Sequence, residues 1–334
     1  MLCIGSTGRS ADNLPPTLDA ATSRGLDFLV SQQNADGSFG AAQKPAITGL
    51  ALMSFLSCGH APNAGKFEPN VGKYGSNVRS AIDFLLSQAQ QDGSLSRQSK
   101  PMYGQGIVTL ALAEAYGVEA NERQRKRIAA ALSNSVKLIL AAQDVKKPEM
   151  YAGGWRYDTN SQDSDLSLSG WNALALRACQ NAGINVPRQA VARAVKFTLK
   201  CYNPEAKAFA YQPGTPPTAS MTAVGIVCLS LLDVNPRPEI EAAAASLASK
   251  PLDEPAQYPY YGMYYATQAA FQLGGARWTD ISKITLDKLL KSQQPDGSWP
   301  DAATESSGAG SAYTTSMALL TLSIPYRLLP VYQR

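Results

Sequence analysis

A single histidine, His60, stands in 334 residues. Without a second imidazole the chain cannot build a His-rich zinc site. A Ser–His–Asp triad would depend wholly on that loop residue, and there is no Gly-x-Ser-x-Gly elbow to accompany it. The five cysteines, Cys3, Cys58, Cys179, Cys201 and Cys228, are scattered, and none pairs at a CxxC spacing, which removes zinc knuckles and dithiol redox motifs. Cys58, Cys179 and Cys228 fall in apolar runs, where a free thiol acts as a small hydrophobe. No phosphate-binding loop is present, and no cofactor is expected. No apolar run reaches the roughly 18 residues of a membrane-spanning helix. Residues Met1 to Asn13 lack the apolar core of a signal peptide. A polar leader is therefore expected over 1–17, with one domain over 18–334. A cytoplasmic place is favoured, and an exported precursor stays open. Net charge is only +4, with no long run of one sign. The one basic cluster, Arg123, Arg125, Lys126 and Arg127, reads as the solvated start of a helix, so no nucleic-acid partner is expected.

What the chain does have is a repeated phrase. Gln33-Asn34-Ala35-Asp36-Gly37-Ser38-Phe39, Gln90-Gln91-Asp92-Gly93-Ser94-Leu95 and Gln293-Gln294-Pro295-Asp296-Gly297-Ser298-Trp299 are three copies. Each follows an apolar helical run, and a recurring phrase at matched positions signals an internal repeat. The repeat unit is helix, polar loop, second helix, connector. Six units are expected, over about 18–60, 76–117, 122–183, 187–233, 237–274 and 278–334. Gly59, Gly117, Gly183 and Gly274 follow apolar helices as stop signals, and Pro187 and Pro238 sit where helices begin. The first helix of each unit carries charge, as at Asp27, Arg79, Asp83, Lys137, Arg193 and Lys288. The second is small or apolar all round, as in the run from Ala46 to Met53. A helix apolar on every side is buried on every side. The expected fold is all-α: two concentric rings closed as an (α/α)6 barrel. An open solenoid would need polar capping repeats, and none is apparent.

The Gln…Asp-Gly-Ser-Phe/Trp phrase resembles the QW repeat of squalene–hopene and oxidosqualene cyclases. Over about 18–334 the chain is similar to the prenyltransferase and squalene-cyclase repeat superfamily, and looks most like its short bacterial members with one toroid. In that family the Gln and the aromatic residue tie the loop to helix ends, so Gln33, Phe39, Gln293 and Trp299 are expected to be scaffold. The second copy has Leu95 in the aromatic place. Protein prenyltransferase β subunits share the toroid but bind zinc through Asp, Cys and His; no such trio is present here, and no metal is expected.

In an α/α barrel the starts of the inner helices open onto one end of a central cavity. The sequence places Tyr103, Gln105, Trp171, Met221, Tyr261, Tyr264, Tyr265 and Tyr313 there, an aromatic lining with few charges, suited to an apolar ligand. Class II terpene cyclases protonate an alkene or epoxide from an Asp-x-Asp-Asp motif, and aromatic faces stabilise the carbocation. Asp163-Ser164-Asp165-Leu166-Ser167 stands in a comparable place. By resemblance Asp165 would be the proton donor and Asp163 its support, with Leu166 where the last Asp belongs. The alternative for these carboxylates is helix capping. The implied function is that of a class II terpene cyclase-like isomerase, cyclising an isoprenoid substrate. The alternative is a non-catalytic toroid that binds an apolar ligand or a partner protein; a scaffold within an exported assembly is a third. The apolar stretch Ile324 to Tyr332 is expected to close the barrel rather than touch a membrane, although peripheral membrane contact stays open.

Overall fold

Alternation between charged and apolar helices carries straight into three dimensions. The computed structural model describes residues 16–62, 72–233, 237–248, 258–302, 305 and 308–333; the expected leader lies almost wholly outside them. Twelve α-helices run through the described residues in six pairs. They are α1 (Pro16–Gln32) with α2 (Lys44–Ser57), α3 (Gly75–Ser87) with α4 (Pro101–Val118), and α5 (Glu122–Asp144) with α6 (Leu166–Asn181). Then come α7 (Arg188–Lys200) with α8 (Ala219–Leu232), α9 (Pro238–Ala248) with α10 (Pro259–Leu273), and α11 (Gly275–Ser292) with α12 (Ser311–Leu322).

In α2 every residue from Pro45 to Ser57 is buried. In α7 only a stripe is: Ala190, Val191, Ala194, Val195, Phe197 and Thr198. That is the spacing of a helix with one side in water. The even-numbered helices accordingly form the inner ring. Each packs on the next, α2 on α4, α4 on α6, α6 on α8, α8 on α10 and α10 on α12, and α12 returns to α2. Ser54 Oγ donates to Ser316 O at 3.0 Å across that closing contact. The ring therefore closes, and no polar capping repeat is required. One feature differs from expectation. A hairpin of β1 (Tyr202–Asn203) and β2 (Ala208–Phe209) crosses the loop of the fourth pair. Two residues per strand are too few to leave an alternating pattern in the sequence.

The loops weld neighbouring pairs. Gly37, Gly93, Gly153 and Gly297 all have φ between 85° and 96°, a region that favours glycine. A Cβ on these glycines would stand 2.4 Å from Ser80 O, 2.3 Å from Asn134 O, 2.5 Å from Arg193 O and 2.3 Å from Arg24 O. Each carbonyl belongs to the next outer helix round the ring. The glutamines bridge the same seam. Gln33 Nε2 donates to Gly37 O and Asn77 O, both at 3.0 Å. Gln293 Nε2 donates to Gly297 O at 3.0 Å and to Ala21 O at 2.8 Å, tying the last pair to the first. Two residues beyond Gly37, Gly153 and Gly297, a backbone N–H hangs on an inner-helix hydroxyl, Phe39 on Thr48, Trp155 on Ser169 and Trp299 on Thr315, and in the fourth pair Phe209, two beyond Lys207 at φ 49°, does the same on Thr222.

Gly297→Ala should therefore weaken the seam that closes the ring. It forces a side chain into a positive-φ position and against a backbone oxygen, with an expected loss of roughly 2 kcal/mol or more. Urea unfolding of the variant checks this, read as a lower midpoint at unchanged slope.

Candidate functional site

Asp165 is the N-cap of α6. Its Oδ1 accepts from Leu168 N at 2.8 Å, which satisfies one orphan donor of the first turn. Its Oδ2 accepts from Arg156 Nη1 at 2.7 Å. Arg156 also reaches Asp163 Oδ2 from Nε at 3.1 Å and donates to the Tyr211 hydroxyl at 2.7 Å. Its guanidinium lies over the rings of Tyr157 and Tyr211, 4.1 and 5.4 Å from their centroids. Asp165 is wholly buried while Asp163 is 40% exposed. Burial is the largest influence on the Asp165 carboxyl and pushes it above its ordinary value; the Leu168 N–H and the Arg156 guanidinium pull the other way. Burial works against the Arg156 cation too, but Asp165 outweighs it and holds the guanidinium charged. Both oxygens of Asp165 thus face donors. Both donors favour the carboxylate over the protonated acid.

Around this pair the inner-helix starts and the loops before them form a rim of tyrosines. Tyr103 OH donates to Ser167 Oγ at 3.1 Å, and Ser167 Oγ and Tyr261 OH are hydrogen-bonded at 2.9 Å. The Tyr157 and Tyr211 hydroxyls are hydrogen-bonded at 3.0 Å. Tyr313 OH donates to Glu305 Oε1 at 2.8 Å. Glu305 in turn caps α10, accepting from Tyr260 N and Tyr261 N. The five rim tyrosines are half-buried. Burial raises the phenols of Tyr103, Tyr211, Tyr261 and Tyr313, so these stay neutral and keep their O–H donors.

Deeper in the ring the aromatic side chains pack on one another. Trp171 stacks on Tyr264 with centroids 6.3 Å apart at 7°. Tyr265 lies 5.8 Å from Trp171 and 4.7 Å from Tyr261. The opposite end of the ring is filled by the chain's own C-terminus. The 3₁₀ turn Pro330–Tyr332 packs against α6, Gln272 Nε2 donates to Tyr332 O at 2.9 Å, and the Tyr264 and Tyr332 hydroxyls bond directly. Beside Tyr264 and Gln268 a cavity of about 20 Å³ remains, room for about one water. Trp171, Tyr264 and Tyr265 thus occupy the ring beneath the rim.

Of the residues expected at the site, Tyr103, Tyr261, Tyr313, Asp163 and Asp165 come together at the rim. Trp171, Tyr264 and Tyr265 lie beneath it, and Met221 is buried in the first turn of α8. Gln105 stands apart. Its amide faces outward, Nε2 to Gly93 O at 2.9 Å and to Ser135 Oγ at 2.7 Å, with Oε1 accepting from Leu95 N at 2.9 Å. Sequence reading missed Arg156, Tyr157 and Tyr211, which sit in loops, and Glu305, which sits in the connection between α11 and α12. The one available signal was Arg156-Tyr157 directly after Gly153-Gly154-Trp155. His60 packs edge-on against Tyr74 at 4.6 Å. Among the described residues no three His, Cys, Asp or Glu side chains gather as a metal site, and no helix is long and apolar enough to cross a membrane.

No protein-family model matches the sequence, and no curated protein matches it. Solved structures do. An inactive variant of the GH76A alpha-1,6-mannanase of Salegentibacter sp. HEL1_6, in complex with alpha-1,6-mannotriose, superposes with a TM-score of 0.64 at 13% identity, covering 93% of this chain and 99% of that one. An aspartate-to-alanine variant of the type II terpene cyclase MstE from Scytonema, in complex with its product merosterolic acid A, gives 0.59 at 15% identity, covering 94% and 98%. A variant of the same cyclase with its substrate geranylgeranyl dihydroxybenzoate gives 0.58 at 14%, covering 94% and 98%. These likenesses show the fold: the chain is an (α/α)6 toroid of the kind on which both a type II terpene cyclase and a mannanase are built. The resemblance to squalene–hopene cyclases narrows to that shared toroid.

A titratable group of α4 faces the C-terminal plug. Glu114 is 5% exposed; its Oε1 accepts from Val331 N at 3.2 Å and its Oε2 is buried without a partner. Burial, only partly offset by the Val331 N–H, raises its carboxyl from 4.5 to about 8. The folded state therefore holds this proton more tightly than the unfolded state. The stabilisation is full below about 4.5 and is lost as pH rises through about 8. Glu114→Gln should abolish that fall, which is on the order of a few kcal/mol, and chemical unfolding at a series of pH values measures it.

Proposed function

We propose that the chain is a binding toroid of terpene cyclase-like fold, whose tyrosine rim holds an apolar, isoprenoid-like molecule without converting it. The observation that carries this reading is the commitment of both Asp165 oxygens, one to Leu168 N and one to Arg156. Proton-initiated cyclisation needs a carboxyl that arrives protonated. A guanidinium at hydrogen-bond distance favours the carboxylate instead. The phenol faces of Tyr103, Tyr157, Tyr211, Tyr261 and Tyr313 supply apolar contact, and their hydroxyls supply polar groups to orient a ligand. The isoprenoid class is supported by the shared fold with a cyclase whose substrate carries a geranylgeranyl group. Mannanase-type chemistry has less support. It requires two free carboxyl groups flanking a bond, and the buried pair at this rim, Asp165 and Glu305, are both used as helix caps.

One observation favours a second reading, a working class II cyclase. Asp165 is fully buried beneath phenols, and burial raises its carboxyl. A ligand that drew Arg156 away would leave an acid facing an aromatic rim.

Incubation with geranylgeraniol and with squalene separates the two. Native mass spectrometry should show intact lipid bound, with Tyr103→Ala and Tyr261→Ala each weakening binding about tenfold, the loss of roughly 1.4 kcal/mol of apolar contact. Gas chromatography of the extracts should show unchanged lipid. A cyclic product that disappears in Asp165→Asn would establish the second reading, and absence of bound lipid would remove both.

A further inference from the structure

The second repeat has lost both of its anchors, and a groove lies where they would be. Backbone bonding sets the register. Asn34 N bonds Ser38 O, Gln90 N bonds Ser94 O and Gln294 N bonds Ser298 O. Gln90 therefore matches Asn34 and Gln294, and the place of Gln33 and Gln293 falls to Ala89. The third pair keeps the full arrangement: Gln143 Nε2 donates to Gly153 O at 2.8 Å and to Ala190 O at 3.0 Å. In the second pair Gln105 of α4 takes over the bond to Gly93 O from the inner side, which leaves the outer side of the seam unfilled. The aromatic place is short as well. Phe39, Trp155, Phe209 and Trp299 fill it in four other pairs, each fully buried or nearly so, but here it holds Leu95.

At this point a groove of about 360 Å³ opens between the loop and α5. Its walls include Leu86, Ala89, Leu95 and Ala131, with the polar Gln90, Arg127 and Asn134 beside them. That volume is at the small end of ligand pockets. We propose that it binds a small planar aromatic molecule carrying a ring N–H, of the indole class. The other copies in this chain show what the space accepts. Trp155 Nε1 donates to Ile139 O and Trp299 Nε1 to Leu289 O, both at 2.8 Å. Those carbonyls lie four residues before Gln143 and Gln293. The matching position before Ala89 is Leu85, in the last turn of α3 and next to Leu86 on the groove wall, and carbonyls of a last turn lack intrahelical partners. Leu85 O and Leu86 O there accept only the N–H groups of Gln88 and Ala89, at 3.2 and 3.3 Å, and a carbonyl oxygen can accept a second bond. The walls offer apolar faces for the ring and the helix end offers acceptors for its N–H. This site lies on the outer wall and does not depend on what the rim binds.

The probe is 5-fluoroindole, followed by ¹⁹F NMR with unlabelled indole as competitor. The wild-type chain should broaden the fluorine signal saturably, and indole should restore it. The double variant Ala89→Gln/Leu95→Trp, which rebuilds both anchors, should abolish the broadening and melt at a higher temperature. Ala130→Arg, at an exposed position on the lip of the groove, should block binding without touching the buried seam and serves if the double variant misfolds. No broadening with wild type, or equal broadening with wild type and Ala130→Arg, would overturn the proposal.

Discussion

Everything in this toroid hangs on backbone pressed against backbone at the seams between pairs. A helical hairpin with one apolar helix cannot bury that helix alone. Six hairpins can, provided each is set at the right angle to the next. In four of the six loops that angle is fixed where a glycine meets a carbonyl of the following outer helix, at a distance no side chain would tolerate. The bridging glutamines then satisfy polar groups that close approach would otherwise strand. Because the last seam joins α11 and α12 to α1, the inner ring closes and every inner helix has two neighbours.

Closure leaves two ends, and the chain treats them differently. The end at the inner-helix C-termini is sealed by Val331 and Tyr332 against Glu114, Gln272 and Tyr264. The other end is left to half-buried tyrosines. Its two buried carboxylates, Asp165 and Glu305, sit at the N-termini of α6 and α10, where backbone N–H groups and the helix dipole favour negative charge. Asp165 gains a guanidinium in addition, and a buried ion pair broken from one side is strongly destabilising. The same group that would be the acid of a cyclase is therefore part of what holds the rim together.

Much of this was legible in the sequence. The charged and apolar helices alternate too strictly to be anything but two walls, and Gln, Asp-Gly and an aromatic residue at fixed spacing mark the welds. Asp165 was legible as standing at an inner-helix entrance, because Asp is a natural N-cap. Its partner was not, since Arg156 lies in a loop and nothing in spacing says which way a loop arginine turns. Gln90 and Gln91 hid the loss at Ala89, because the phrase reads correctly by eye and only backbone register counts four residues back from Gly93. Gln105 read as a cavity residue for a related reason: on an inner helix buried on all sides, periodicity does not separate the face toward the axis from the face toward the loop.

The ionisation of Asp165 tests the central claim most directly. Carboxyl-carbon NMR on protein labelled at aspartate, with the signal assigned through Asp165→Asn, reads it without any ligand. The account predicts a carboxylate at neutral pH, paired to Arg156. A carboxyl that is protonated at neutral pH would contradict it and return this chain to the proton-donating cyclases.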